Sequence, residues 1–346
     1  MKKFLLPILA LGLSSVAFAQ ETSAPLQISG SVDTYFKYDF QKSSNINTSF
    51  ASEQNSISLG MVDLALKKTT GKASFVGELS FGPRGQAQSI PNAAGVYDET
   101  TNSFNIQNLY VSYAFTDKFS MTAGYMGTFI GYEVISPVAN FNYSTSYLFT
   151  SGPFQNAGIK ASYVFSDKVS LMAGLFNDWN VYQDFNGVSH VGAQLTVTPV
   201  TGWTAYLNVL SGRSAGAPGT GTIFDITTAY QITDGFKLGL NAADYTVSND
   251  NGGYTGIALY PQYAISKAVG LGLRGEYFNY KGVGAASDAS VTALTFSANI
   301  KSGGLTFIPE VRFDSDKDLT QGFVKSDLIT PTKSASQFSL ALVYAF

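Results

Sequence analysis

Tyr113-Ala114-Phe115-Thr116-Asp117-Lys118-Phe119-Ser120-Met121-Thr122-Ala123 holds the plan of the whole chain. Two aromatic rings flanking a small residue run into a tight polar turn. Apolar side chains then resume at every second position, Phe119, Met121 and Ala123, which is the period of a β-strand. The same punctuation returns at Tyr163-Val164-Phe165 before Ser166-Asp167-Lys168, and more loosely at Tyr230-Gln231-Ile232 before Thr233-Asp234-Gly235 and at Tyr263-Ala264-Ile265 before Ser266-Lys267. The chain ends on Tyr344-Ala345-Phe346, at the level where the earlier strands turn. Aromatic residues at one height on alternating strands describe the interface girdle of a transmembrane β-barrel, expected here to comprise Tyr113, Phe115, Tyr163, Phe165, Trp203, Tyr230, Tyr263, Tyr344 and Phe346.

Reading outward from that stretch gives about sixteen alternating segments, with fourteen to eighteen compatible with the pattern. The expected fold is all-β, a single closed antiparallel transmembrane barrel with no second domain. The fifth strand reads as 119–131, the twelfth as 254–265 and the thirteenth as 269–280. Connections alternate in length. Short ones fall at 69–71, 116–118, 166–168 and 233–235, and longer ones at 41–55, 84–103, 132–155, 212–221, 249–253 and 315–335. Short periplasmic turns and long external loops are the asymmetry of outer-membrane barrels. Pro309 interrupts an otherwise regular strand pattern, and because proline forfeits a ladder hydrogen bond a bulge is expected there.

The composition agrees. The chain has 20 Tyr and 26 Phe, yet charged residues make up only 13%, roughly half the usual share. Such a chain needs apolar groups on an outer face rather than a charged coat. Lys2-Lys3, an apolar run over 4–16 and Ala17-Phe18-Ala19 read as a secretory signal over 1–19, leaving 20–346 as the barrel. Removing Lys2 and Lys3 would take the formal charge from −3 to −5, which makes nucleic acid an unsuitable partner. With no cysteine and one histidine, thiolate chemistry is excluded and little remains for acid–base or metal catalysis.

Alternation also separates the faces. In 305–314, Leu305, Phe307, Pro309, Val311 and Phe313 share one side, and Thr306, Ile308, Glu310, Arg312 and Asp314 the other. A charge at the lipid midplane costs about 2–4 kcal/mol, so the polar side must be the lumen. The lumen charges expected on this basis are Asp33, Lys37, Asp63, Lys67, Glu78, Arg84, Lys160, Asp225, Arg274, Glu276, Glu310 and Arg312, with His190 as a further polar lining residue. Both signs are present, so at most weak ion selectivity is expected. Arg274 with Glu276 and Glu310 with Arg312 either set up a transverse field or pair internally and brace the wall. The remaining lining is expected to be Ser, Thr, Asn and Gln.

Two motifs are set aside. Gly270-x-Gly272-x-x-Gly275 matches a dinucleotide-binding pattern but lies within a strand. Asp314-x-Asp316-x-Asp318 begins like a calcium loop but has Leu319 where the turn glycine belongs.

Gly124-Tyr125-Met126-Gly127-Thr128-Phe129-Ile130-Gly131-Tyr132-Glu133, followed by Asn140-Phe141-Asn142-Tyr143-Ser144-Thr145-Ser146 and Ser151-Gly152-Pro153-Phe154, resembles the family called putative β-barrel porin-2, OmpL-like. Ser29-Gly30-Ser31-Val32-Asp33-Thr34-Tyr35-Phe36 is similar to the first strand of that family. The resemblance implies an outer-membrane porin. In sixteen-stranded porins the loop after the fifth strand commonly folds inward. The segment 132–155, with Glu133, Asn140, Phe141, Asn142, Tyr143, Tyr147 and Phe149, is therefore expected either to constrict the pore or to pack on the external rim.

The expected function is passive diffusion of small hydrophilic solutes across a Gram-negative outer membrane after export through the periplasm. No cofactor, metal or catalytic residue is expected. The expected partners are outer-membrane lipid and the solutes. A homotrimer stays open, because apolar trimer contacts and lipid contacts look alike in sequence. Two other readings stand: a saccharide-selective channel, and a plugged structural or adhesive barrel whose loops bind an external partner.

Overall fold

A computed structural model describes residues 24–46, 48–84, 105–181 and 183–346 of the chain. The leader read over 1–19 and most of the loop read over 84–103 lie outside the described residues. The first eight strands are β1 (Gln27–Asp39), β2 (Ser56–Thr70), β3 (Ala73–Phe81), β4 (Asn105–Ala114), β5 (Phe119–Gly127), β6 (Gln155–Ser166), β7 (Val169–Phe176) and β8 (His190–Val197). The second eight are β9 (Trp203–Gly212), β10 (Gly221–Gln231), β11 (Phe236–Val247), β12 (Asn251–Ala264), β13 (Val269–Val283), β14 (Ala289–Ser302), β15 (Leu305–Ser315) and β16 (Ser334–Ala345). Each pairs antiparallel with its chain neighbours, and β1 pairs with β16 to close the barrel. At the seam Gly30 and Phe346 exchange both backbone hydrogen bonds, at 3.1 and 3.0 Å, so the sheet has no free edge.

Burial inverts the pattern of a water-soluble sandwich. Leu171, Val191, Phe224, Leu259, Phe296 and Leu342 are exposed on the outer face, whereas Arg274 and Arg312 are fully enclosed at 0% exposure. The girdle rings stand outside in neighbouring pairs. Tyr113 lies 4.9 Å from Phe115, Tyr163 lies 5.0 Å from Phe165, and Trp203 lies 5.5 Å from its cross-strand partner Tyr230. The Trp203 indole donates to Thr228 Oγ1 at 2.8 Å, the polar handle that suits an indole to an interface.

Three expectations need correction. Pro309 makes no bulge. Pairing with β16 runs through Pro309↔Leu340, and on the β14 side it lapses between Ser297↔Glu310 and Ile300↔Phe307 without a change of register. The missing N–H therefore removes ladder contacts but adds no residue. Shifts of register occur at Val32/Thr34, Glu78/Leu79 and Val164/Ser166 instead. The connection read as a 249–253 loop is a tight turn between Val247 and Asn251, with Asn249 and Asp250 at φ of 63° and 56°, the left-handed pair that hairpin twist favours. Finally, β5 ends at Gly127 rather than 131, because the chain leaves the sheet there to turn inward.

Candidate functional site

The segment 128–154 enters the barrel. Its base is closed by Thr128 N donating to Phe154 O at 3.1 Å. A single-turn helix α1 (Tyr147–Ser151) lies near its end, capped by Ser146 Oγ, which accepts from Phe149 N at 3.0 Å. Otherwise the segment has little secondary structure, so its buried backbone groups need partners from elsewhere.

The charged pairs of β13 and β15 supply them. Glu310 accepts from Tyr143 N (2.8 Å) and Ser144 N (3.1 Å), and Glu276 accepts from Tyr147 N (3.0 Å) and Leu148 N (2.8 Å) at the opening of α1. Arg274 donates to Ser144 O (2.6 Å) and Thr145 O (3.2 Å) and forms an ion pair with Glu133 at 2.7 Å. Arg312 donates to Thr145 O (2.8 Å) and grips Asp314 through two nitrogens, at 2.8 and 2.9 Å. Carboxylates thus take the loop's N–H groups, and guanidiniums take its carbonyls. Charge-assisted bonds of this kind are about twice as strong as neutral ones, and they offset the cost of enclosing the ions. On this wall the pairs do not close on themselves: all four side chains are committed to the loop.

Glycines on the inner wall make room for the loop's bulky groups. A Cβ at Gly192 would come within 2.6 Å of Phe129, one at Gly239 within 2.4 Å of Tyr132, one at Gly256 within 2.8 Å of Leu148 and one at Gly272 within 2.3 Å of Phe141. Gly272 is the middle residue of the discounted Gly-x-Gly-x-x-Gly run, and its smallness seats a phenyl ring. Tyr132 also stacks on Tyr260 at 4.5 Å. Around these sockets a buried apolar cluster, including Phe176, Leu210, Ile223, Tyr254 and Phe278, fills part of the interior. The expectation of a uniformly polar lining fails on this side, because those positions pack against the loop rather than against water.

The first external loop also reaches in. Lys37 Nζ donates to Ser44 Oγ at 3.2 Å, Ser49 N donates to Thr150 Oγ1 at 2.9 Å, and the Phe50 and Phe149 rings lie 5.8 Å apart. Sequence reading placed 41–55 outside; two large apolar residues in a polar loop, Ile46 and Phe50, were the available signal for the opposite. Arg84 lies beyond the end of β3 and contributes from a loop rather than from the wall. It is enclosed between the Phe50 and Tyr143 rings, with its guanidinium 3.8 Å from Asp33, whose carboxylate also accepts the Tyr143 hydroxyl.

The remaining sequence-predicted residues are dispersed. Asp225 accepts from Asn208 (2.7 Å), Asn241 (2.6 Å) and Gly131 N (3.1 Å), and so holds the loop's entrance. Asp63 is buried, Lys67 is exposed, and Lys160 is half-buried on β6. Glu78 accepts from Asn108. His190 is buried, with Ser189 Oγ at 2.8 Å and Asp178 Oδ1 at 3.5 Å from the same ring nitrogen, Nδ1. A catalytic relay sets serine and carboxylate on opposite ring nitrogens, which this arrangement does not do. Among the described residues no three of His, Asp and Glu gather as a metal site.

Two parts of the interior are not taken up by the loop's anchors. On β3–β6 the inner side chains bond from strand to strand, as in Ser112–Thr122 at 2.8 Å and Glu78–Asn108. Toward the short-turn end lies a cavity of about 790 Å³, bounded by loop residues 137–142 and by the turns at Asp234–Gly235 and Ser266–Ala268. Lys237, Lys267 and Lys301 line it, and none of the three was expected among the lumen charges.

The sequence pattern of the family described as "putative beta-barrel porin-2, OmpL-like" matches residues 25–346. No curated protein matches the chain. Among solved structures, an anion-selective porin from Comamonas acidovorans is 14% identical, with 94% of this chain and 100% of that one covered and a TM-score of 0.63. The outer-membrane channel DcaP of Acinetobacter baumannii is 12% identical, with coverage of 93% and 97% and a TM-score of 0.63. OmpT of Vibrio cholerae, in a trimer form, is 13% identical, with coverage of 94% and 100% and a TM-score of 0.61. At these identities the likeness is one of fold.

Proposed function

From the premise that this chain belongs to the putative β-barrel porin-2, OmpL-like family, and is thus a porin channel of the Gram-negative outer membrane, we propose that it conducts small hydrophilic solutes passively, with 128–154 as the constriction. The observation that carries this reading is the anchoring of that loop inside the barrel by Arg274, Glu276, Glu310 and Arg312. The loop lies against β8 and β10–β15 and reaches β1 through Tyr143, and in this reading solute passes the polar inner wall of β3–β6 and reaches the cavity beyond. No residue is catalytic in this reading. The gradient drives transport, and the enclosed ions hold the constriction in place. Trimer assembly is part of the proposal, supported by the trimer form of the similar OmpT.

A second reading, a barrel sealed by its own loops, is favoured by the apolar packing around Phe176, Leu210 and Phe278. Single-channel conductance of the refolded protein in a planar bilayer separates the two. Stepwise current that rises when 138–147 is deleted supports the constricted channel. A folded barrel with no current supports the sealed one, and current unchanged by the deletion removes the constriction from 128–154.

A further inference from the structure

Sequence alone suggested that opposing charges along the lumen would leave little selectivity. The structure holds two sets of interior charges with different fates, and the second was not among those expected. In the first set every ion is spent locally. Arg274 is bound to Glu133 and Arg312 to Asp314, Glu276 and Glu310 each accept two loop amides, and Asp225 accepts two asparagine amides and Gly131 N. These groups are buried, and each is held by the partners just named rather than facing an open path.

The second set borders the cavity at the short-turn end. Lys237, Lys267 and Lys301 line it, against two carboxylates, Glu133 and Asp234. Glu133 is already neutralised by Arg274. None of the three lysines has an ion-pair partner among the described residues. The uncompensated charge of the cavity is therefore positive. The other polar groups of its lining, among them Gln231, Gln262 and Asn299, carry no charge. Ammonium groups on flexible stems stay hydrated and can follow a passing ion.

We propose that this vestibule sorts solutes by charge, so that small anions pass in preference to cations. The proposal rests on the channel reading above. Rings of Lys or Arg set anion preference in pores, and low-dielectric walls concentrate the field between them. The Debye length is about 8–10 Å at ordinary ionic strength, comparable with the half-width of a small pore, so the lysines act across the vestibule. A cavity of about 790 Å³ has room for an organic anion as well as for chloride.

The test is the reversal potential of single channels under a potassium chloride gradient at low ionic strength, for the full chain and for K237Q/K301Q. K333Q, on the external loop, serves as control. Anion preference in the parent, moved toward zero or past it in K237Q/K301Q and unchanged in K333Q, would support the assignment. Raising the salt on both sides reports on the same field without any substitution, and it should weaken the preference in the parent. A parent reversal potential at zero or on the cation side would overturn the assignment and leave the channel reading standing, as would a K237Q/K301Q channel, folded by circular dichroism, with the parent's potential. Absence of current from folded protein would overturn both, since a vestibule with no through-path filters nothing.

Discussion

The inner faces of β13–β15 and β3–β6 obey the same alternation and put it to opposite use. On the first, the inward charges of Arg274, Glu276, Glu310 and Arg312 reach loop residues more than a hundred positions away in sequence. On the second, Glu78, Asn108, Ser112 and Thr122 bond to the adjacent strand. There the shift of register at Glu78/Leu79 brings Gln107 into play as well, and it bonds to Ser80. An inward polar residue thus has no fixed meaning. It bonds to the next strand where no loop residue meets it and becomes a backbone partner where one does.

The comparison can be broken most severely at Arg274. Arg274→Ala leaves Glu133 enclosed without its cation, and removing one partner of a buried pair typically costs about 3–5 kcal/mol. Denaturant unfolding in detergent should show a loss of that order, with noisier and larger single-channel current as the loop loosens. A loss no larger than that of a surface substitution would mean that the loop is held by packing alone. Gly272→Val tests the packing directly. The new side chain occupies the space of the Phe141 ring, overpacking of this kind costs about 1–3 kcal/mol, and conductance should fall if Phe141 is displaced into the interior. Wild-type conductance with wild-type stability would show that the socket is not needed.

On the other wall, Asn108→Ala removes a partner of Glu78 and the acceptor for Gly127 N. Two hydrogen bonds are lost, each contributing about 1 kcal/mol, and beyond Gly127 at its root the loop 128–154 makes no bond to Asn108. Stability should fall slightly, and the loop's protection from hydrogen exchange should not change. A loosened loop would show that the two walls are coupled.

The smallest effect belongs to neither wall. Asp327, on the external loop 316–333, is held down to about 2, first by the Thr330 hydroxyl and then by the Ile329 and Thr330 amides. A carboxyl lowered in the folded chain adds stability above its unfolded value, near 3.9, and loses it as pH falls through the folded value. Proteolysis of this loop should therefore be unchanged between pH 7 and pH 4 and should increase only on approach to pH 2.

Much of the barrel was legible because its period is local. Alternation in 305–314 assigned both faces of β15, and the aromatic-turn punctuation placed the hairpins. What could not be read is what the inward residues touch. Arg274 and Glu133 stand 141 positions apart, and no periodicity connects them. Alternation also fails where both faces are apolar, as at Ile223 and Phe224 of β10, of which the first meets the interior cluster and the second stands exposed outside. The glycine sockets were visible only as glycines, because their meaning lies in the ring that fills each one. The lysines of the vestibule gave no sign of facing the interior because they sit at strand ends and turns, where sequence patterns fade.

The seam between Gly30 and Phe346 has a consequence for the order of events in assembly. Every other strand pair joins neighbours in the chain and can zip as a local hairpin, whereas this pair joins residues 316 positions apart. Contacts of such long range form slowly, because the intervening chain must first be brought into place. Registration of β1 against β16 is therefore the natural last step of insertion. Until it is taken, two unpaired edges remain open to a helper strand or to a neighbouring chain.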